Sequence, residues 1–134
     1  MHIVAGDIAL VALGGAIGAV GRYSLGLMQV FAAQKHLATL TANISGCLAI
    51  GVVWALLQHY GAPRAWQLLL ITGVLGGYTT FSAFALDGVA LWQQAEGAAL
   101  PWRALAYVAT TVLAGIAACA IGLYATNKLI QTIN

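Results

Sequence analysis

A chain of 134 residues that is 62% hydrophobic and 6% charged, with a mean hydropathy of +0.93, does not have the composition of a soluble domain, where about a quarter of residues are charged. Five Lys and Arg against three Asp and Glu leave a net charge of +2, scattered singly, so no basic run exists to track a nucleic acid. At about 20 apolar residues per transmembrane helix, the length holds four spans and short connections, which predicts one four-helix membrane domain over residues 1–134 and excludes a separate catalytic domain.

The first apolar stretch runs from Asp7 to Phe31 and closes at Gln34, Lys35 and His36. Only His2 stands before it as a basic side chain, and it outlasts a signal-peptide core, so it is expected to be a retained span. Gly14 and Gly18 share one face of it, and Arg22 lies inside it towards its far end. The second span covers Leu37 to Leu57 and is closed by Gln58, His59, Tyr60, Gly61, Pro63 and Arg64. Thr39 and Asn43 are one turn apart within it, and Gly46 and Cys47 continue the same narrow strip.

The third stretch stays apolar from Trp66 to Gln93 and Gln94, longer than one straight span needs. Its centre reads Gly73-Val74-Leu75-Gly76-Gly77-Tyr78-Thr79-Thr80-Phe81-Ser82-Ala83-Phe84. Glycines followed by threonines lower helix propensity where the backbone must satisfy itself in lipid. Two outcomes fit: a break whose freed carbonyls at Gly76, Gly77 and Thr79 could ligate a small cation, or a continuous helix packed closely through its glycines. Asp87 is the only carboxylate deep in a span. The fourth span follows Pro101, Trp102 and Arg103 and ends near Lys128; it carries the row Tyr107, Thr111, Gly115 and the small pair Ala118 and Gly122.

With four spans, Arg64 and Lys128 fall on one side and Lys35 and Arg103 on the other. The positive-inside rule then has no preference, which permits insertion in both orientations and an antiparallel dimer, unless Arg22 tips the count. A charge in mid-membrane calls for a partner, and Asp87 is the nearest candidate for Arg22. Enzymatic parts are missing: His2, His36 and His59 sit near span ends, as do Asp7 and Glu96, and Cys47 and Cys119 lie in apolar runs as free thiols. Glycines 14, 15, 18 and 21 mimic a nucleotide fingerprint without the strand that one requires. The hydroxyl and amide rows on the second and fourth spans must face protein or water. They serve either as interhelical hydrogen bonds or as a donor-rich track for a desolvated anion.

The chain resembles the Fluc/CrcB family of bacterial fluoride channels. The resemblance rests on Gly14-Gly15-x-x-Gly18-x-x-x-Arg22-Tyr23, on Thr39-x-x-x-Asn43-x-x-Gly46, and on Gly73-x-x-Gly76-Gly77-x-Thr79-Thr80-Phe81-Ser82-x-Phe84, with Tyr107 and Thr111 matching by spacing. It implies an all-α, dual-topology antiparallel homodimer of four-helix subunits in the inner (plasma) membrane, with a broken third helix and two fluoride pores. It also implies a structural sodium ion at the dimer centre, held by the carbonyls of Gly76 and Thr79. Phe81 and Phe84 would line the pores, Asn43 would donate its amide to fluoride, and Ser82, Thr39, Tyr107 and Thr111 would continue the polar track. Apart from the resemblance, the cost of a charge in mid-membrane makes Arg22 and Asp87 structural or entrance charges. Ala83 stands where the family usually has Thr, and Gly115 where some members have Ser, which removes hydroxyls from that track. The implied activity is passive fluoride export. The rival is a small dual-topology proton-coupled multidrug antiporter, which needs a deep carboxylate such as Asp87; a scaffold protein without ion flux is a third reading.

Overall fold

The computed structural model describes residues 5–95 and 101–133; His2 and Glu96 lie outside the described residues. Four helices are long and apolar enough to cross a membrane: α1 (Ala5–Gly26), α2 (Lys35–His59), α3 (Arg64–Gln93) and α4 (Trp102–Ile133). The described chain is all-helical. The expected spans are found with shifted ends. The first apolar stretch divides into α1 and a separate 3₁₀ turn at Gln29–Phe31, and α4 continues past Lys128 to Ile133.

Local chemistry explains the sharpest of these ends. At the close of α2 the Gly61 N–H bonds the Gln58 carbonyl at 3.2 Å and the Ala62 N–H bonds the Leu57 carbonyl at 2.9 Å. That pair of bonds is a Schellman closure, whose pivot residue must be left-handed. Gly61 is that pivot at φ +55°, and Pro63 behind it prevents the helix from resuming.

The helices do not pack in chain order. α2 lies chiefly along α4, and α1 along the first half of α3. Both seams are made by glycine. Gly14 and Gly18 meet the backbone of Gly73, Val74 and Tyr78, and Gly77 meets Gly15; on the other seam Gly51 faces Cys119 and Leu123, and Gly122 faces Leu48 and Val52. Lipid gives helices no hydrophobic reason to associate, so backbone approach of this kind supplies the attraction. Side chains such as Ile17, Leu113 and Ile116 accordingly remain exposed, and the buried cluster is small: Phe84, Leu91, Ala104 and Tyr107, with Leu40 against it. An ion pair between Asp7 and Arg64, at 3.1 Å, ties the start of α1 to the start of α3.

α3 is irregular along its length. It opens with a turn at Arg64–Trp66, widens into a π-helical stretch at Gln67–Leu75, and tightens again at Gly76–Tyr78. Thr79 (φ −82°, ψ 156°) and Thr80 (φ −153°, ψ 121°) are extended, and the α-helix resumes at Phe81–Gln93. The residues that leave the helix are the two β-branched threonines, which lose side-chain freedom in a helix and gain hydrogen bonds outside it.

A candidate ion pathway beside the Thr79-Thr80 segment

The Thr79 N–H still bonds the Leu75 carbonyl at 3.0 Å, and its hydroxyl bonds the same oxygen at 2.9 Å. The next amide does not continue the pattern. A helix would send the Thr80 N–H to the Gly76 carbonyl; instead it donates to Asn43 Oδ1 of α2 at 2.8 Å. Asn43 Nδ2 in turn donates to the Thr80 carbonyl at 3.1 Å. Thr80 Oγ1 accepts the Ala83 N–H at 3.2 Å and so caps the second half of α3, with Ser82 Oγ also 3.2 Å away.

Three further groups steady the segment. Arg22 Nε donates to the Gly77 carbonyl at 3.4 Å, a cation at the C-terminal end of a helical segment, where the macrodipole favours it. Ser45 Oγ spends its proton on the Thr41 carbonyl at 2.7 Å, so the Tyr78 hydroxyl donates to Ser45 at 3.1 Å. Gly46 leaves room on α2 for the methyl group of Thr79. Gly76 faces open surface: the nearest atom to a Cβ placed there is the Ile71 carbonyl oxygen, at 3.5 Å.

On the other side of Thr80 the aromatic residues form a row. The Phe81 and Phe84 ring centroids lie 5.5 Å apart, Phe84 and Tyr107 5.6 Å, and Tyr107 and His36 5.6 Å with the rings edge to face. Phe81 is 79% exposed and Phe84 8%, so the row runs from the surface of the bundle inward. The Tyr107 hydroxyl donates to Asp87 Oδ2 at 3.2 Å. That contact corrects the expected Arg22–Asp87 pair: within the chain Arg22 faces the first half of α3, whereas Asp87 sits on the second half and turns towards α4.

Tyr107 and Asp87 also line a cavity of about 710 Å³ among the starts of α2 and α4 and the end of α3, together with Lys35, His36, Gln94 and Arg103. The aromatic row therefore ends in a polar mouth with two basic side chains, Lys35 and Arg103, at its rim. Sequence reasoning placed Lys35, His36 and Arg103 only at span ends. The signal that could have joined them is that α2 and α4 both begin with basic residues on the same side of a four-span bundle.

The structure thus brings Asn43, Phe81, Ser82, Phe84, Tyr107 and Asp87 together around the Thr80 segment and the aromatic row. Thr111 is buried near it, but its hydroxyl donates to the Tyr107 carbonyl of its own helix at 2.7 Å, leaving it only as an acceptor. Thr39 is half-buried one turn before Asn43. Among the described residues no three His, Cys, Asp or Glu side chains converge as metal ligands, so a cation at this level would rely on carbonyl oxygens. The Gly76 carbonyl, bypassed by the Thr80 amide, fits that use.

A family model described as "CrcB-like protein, Camphor Resistance" matches residues 9–123. The chain is similar to a fluoride-specific ion channel FluC of Paracoccus denitrificans, 46% identical over 114 residues that make up 84% of this chain and 88% of the relative. A fluoride-specific ion channel FluC of Desulfotalea psychrophila is 35% identical over 131 residues, 97% of this chain and 98% of its own length. One of Rhizobium etli is 43% identical over 123 residues, 90% of this chain and 95% of the relative.

Proposed function

The chain belongs to the CrcB family, and from that premise we propose that it is a fluoride-selective channel, a multi-pass protein of the plasma membrane that lets fluoride leave down its electrochemical gradient. The observation that carries the reading is the row Phe81, Phe84, Tyr107, which begins beside the Asn43–Thr80 contact and ends at the polar cavity. The edge of a phenyl ring is the positive part of its quadrupole. It can replace part of a fluoride ion's hydration without the tight grip of a fixed cation, which is what conduction requires: binding good enough to enter and weak enough to leave. Lys35 and Arg103 at the cavity rim would raise the local anion concentration.

Export needs no coupled ion. Hydrogen fluoride crosses membranes as the neutral acid and dissociates inside, so the anion accumulates there and the negative interior potential drives it out through a selective pore. The antiporter reading lacks comparable support: the relatives named above are ion channels, and the deep carboxylate it needs, Asp87, is hydrogen-bonded to Tyr107.

The finer architecture belongs to the same proposal. The third helix acts as a broken helix, two subunits assemble antiparallel, and sodium sits between them on the carbonyls of Gly76 and Thr79. Support comes from the extended Thr79 and Thr80, from the open surface at Gly76 and from the balanced connection charges, which allow both orientations. Four carbonyl oxygens from two subunits are hard ligands suited to a small monovalent ion, and such a site stabilises only the assembled pair.

The deciding experiment is fluoride efflux from liposomes carrying the purified protein, with chloride and a lipophilic cation in parallel. Fluoride-only flux is the expected result. Flux of the organic cation against a proton gradient would favour the antiporter, and no flux a scaffold. Repeating the assay with all sodium replaced by a large organic cation tests the ion site, which predicts loss of flux and of dimer together.

A further inference from the structure

We propose that Asn43 is a positioning residue: it holds the two peptide groups that flank the Thr80 Cα and so fixes the geometry that α3 presents to the ion. The inference rests on the channel reading but is carried by a separate observation, the reciprocal pair of bonds between the Asn43 amide and the Thr80 N–H and C=O. Thr80 is extended, at φ −153° and ψ 121°, and its N–H is turned away from the helical acceptor at Gly76. Without a partner from another helix, its N–H would be orphaned at membrane depth, which backbone there does not tolerate; its carbonyl, at the N-cap of the resumed helix, already accepts that helix's first bond and takes the Asn43 N–H as a second.

Asn and Gln are the only side chains that carry a planar donor and acceptor matching those of a peptide, and Asn43 uses both. Its pairing with Thr80 is in effect one rung of a ladder, built by a side chain 37 residues away in sequence. What the rung holds explains its reach. On one side of the Thr80 peptide lies Thr79, whose carbonyl points from the same extended segment. On the other lies Phe81, the first residue of the resumed helix, and that helix is capped by Thr80 Oγ1 on the Ala83 N–H. A rotation of the Thr80 peptide would turn the Thr79 carbonyl and swing Phe81 and Phe84 together. The clamp also limits what Asn43 can give an ion. One of its two N–H groups is committed to the Thr80 carbonyl, so a single N–H remains to face the pathway.

The test uses the full-length protein in detergent micelles and in liposomes. Labelling with ¹³C,¹⁵N-threonine and ring-labelled phenylalanine reports on the Thr80 amide and carbonyl and on Phe81 and Phe84, while fluoride efflux reports on function. In Asn43→Ala, exchange of the Thr80 amide should accelerate about tenfold or more, the equivalent of one ordinary hydrogen bond. Both ring signals should shift, and efflux should fall. Asn43→Asp, nearly the same shape, can still accept the Thr80 N–H but cannot donate to the Thr80 carbonyl. It should keep the amide protected, move the Thr80 carbonyl resonance and lose efflux, which decides the matter should Asn43→Ala fail to assemble.

Efflux lost in Asn43→Ala with Thr80 protection and ring signals unchanged would overturn the proposal, because Asn43 would then act on the ion alone. Unchanged efflux would overturn it as well. If the wild-type protein carries no fluoride, the channel reading fails, while the exchange and ring signals still decide the clamp.

Discussion

Replacing Gly73 with alanine should loosen the seam between α1 and α3 and lower fluoride efflux without removing any polar side chain. A Cβ at Gly73 would stand 2.8 Å from the Gly14 Cα, and 3.2 Å from both the Gly14 carbonyl carbon and the Leu68 carbonyl oxygen. Carbon atoms rest about 3.5–4.0 Å apart, and the obstacle is backbone that cannot rotate away. The helices must therefore separate locally by roughly 1 Å. Overpacking of this sort costs roughly 1–3 kcal/mol. The separation also breaks the Arg22–Gly77 contact, because its 3.4 Å already lies at the long end of hydrogen bonding.

Alanine gains up to about 1 kcal/mol over glycine in helix propensity, which hides part of the cost. Gly15→Ala is the control, since a Cβ there has nothing within 4 Å and receives the same propensity gain. The difference between the two variants isolates the clash. Unfolding both in mixed micelles titrated with a denaturing detergent should show Gly73→Ala less stable by roughly 1–3 kcal/mol, with fluoride efflux reduced in step. Equal midpoints would refute the close-packing argument for this seam.

Three other outcomes are expected. Tyr107→Phe keeps the ring contacts but strips Asp87 of its hydrogen bond, so efflux should drop about tenfold or more while size-exclusion behaviour stays the same; unchanged efflux would remove that hydroxyl from the pathway. Gly61→Val places a β-branched residue at φ +55° and should cost roughly 1–2 kcal/mol, read as a lower thermal midpoint with normal flux per folded protein. Asp7→Asn breaks a pair whose Arg64 side chain is 70% exposed and should cost less than about 1 kcal/mol, so a larger loss in the same unfolding assay would mean that the pair is shielded from solvent.

Span number and approximate position were legible because hydropathy alone decides them in a membrane protein. The unusual centre of α3 was legible as composition, in the glycines and threonines between Gly73 and Thr80. Asn43 stood out because an amide in an apolar helix must find a partner, but its partner is the backbone of Thr80, and backbone carries no sequence signal. The same limit defeated the Arg22–Asp87 pairing. Helical spacing says which face a side chain occupies, and only the packing of α4 against the second half of α3 shows that Asp87 meets Tyr107. The π-helical widening at Gln67–Leu75 and the alignment of His36 with Tyr107 likewise arise from tertiary contact.

The interleaved packing bears on how the protein is made. α1 finds its main companion only after α2 has been threaded, and α2 finds its own only after α3. A chain inserted span by span must therefore hold its first two helices in lipid with their glycine faces bare until later segments leave the ribosome. No adjacent pair can lock early as a hairpin, and the bundle closes when the last helix arrives. The final span is thus a completion signal for the whole bundle: a chain truncated before α4 would strand α2 without its partner and expose it to membrane quality control, however sound the three helices upstream.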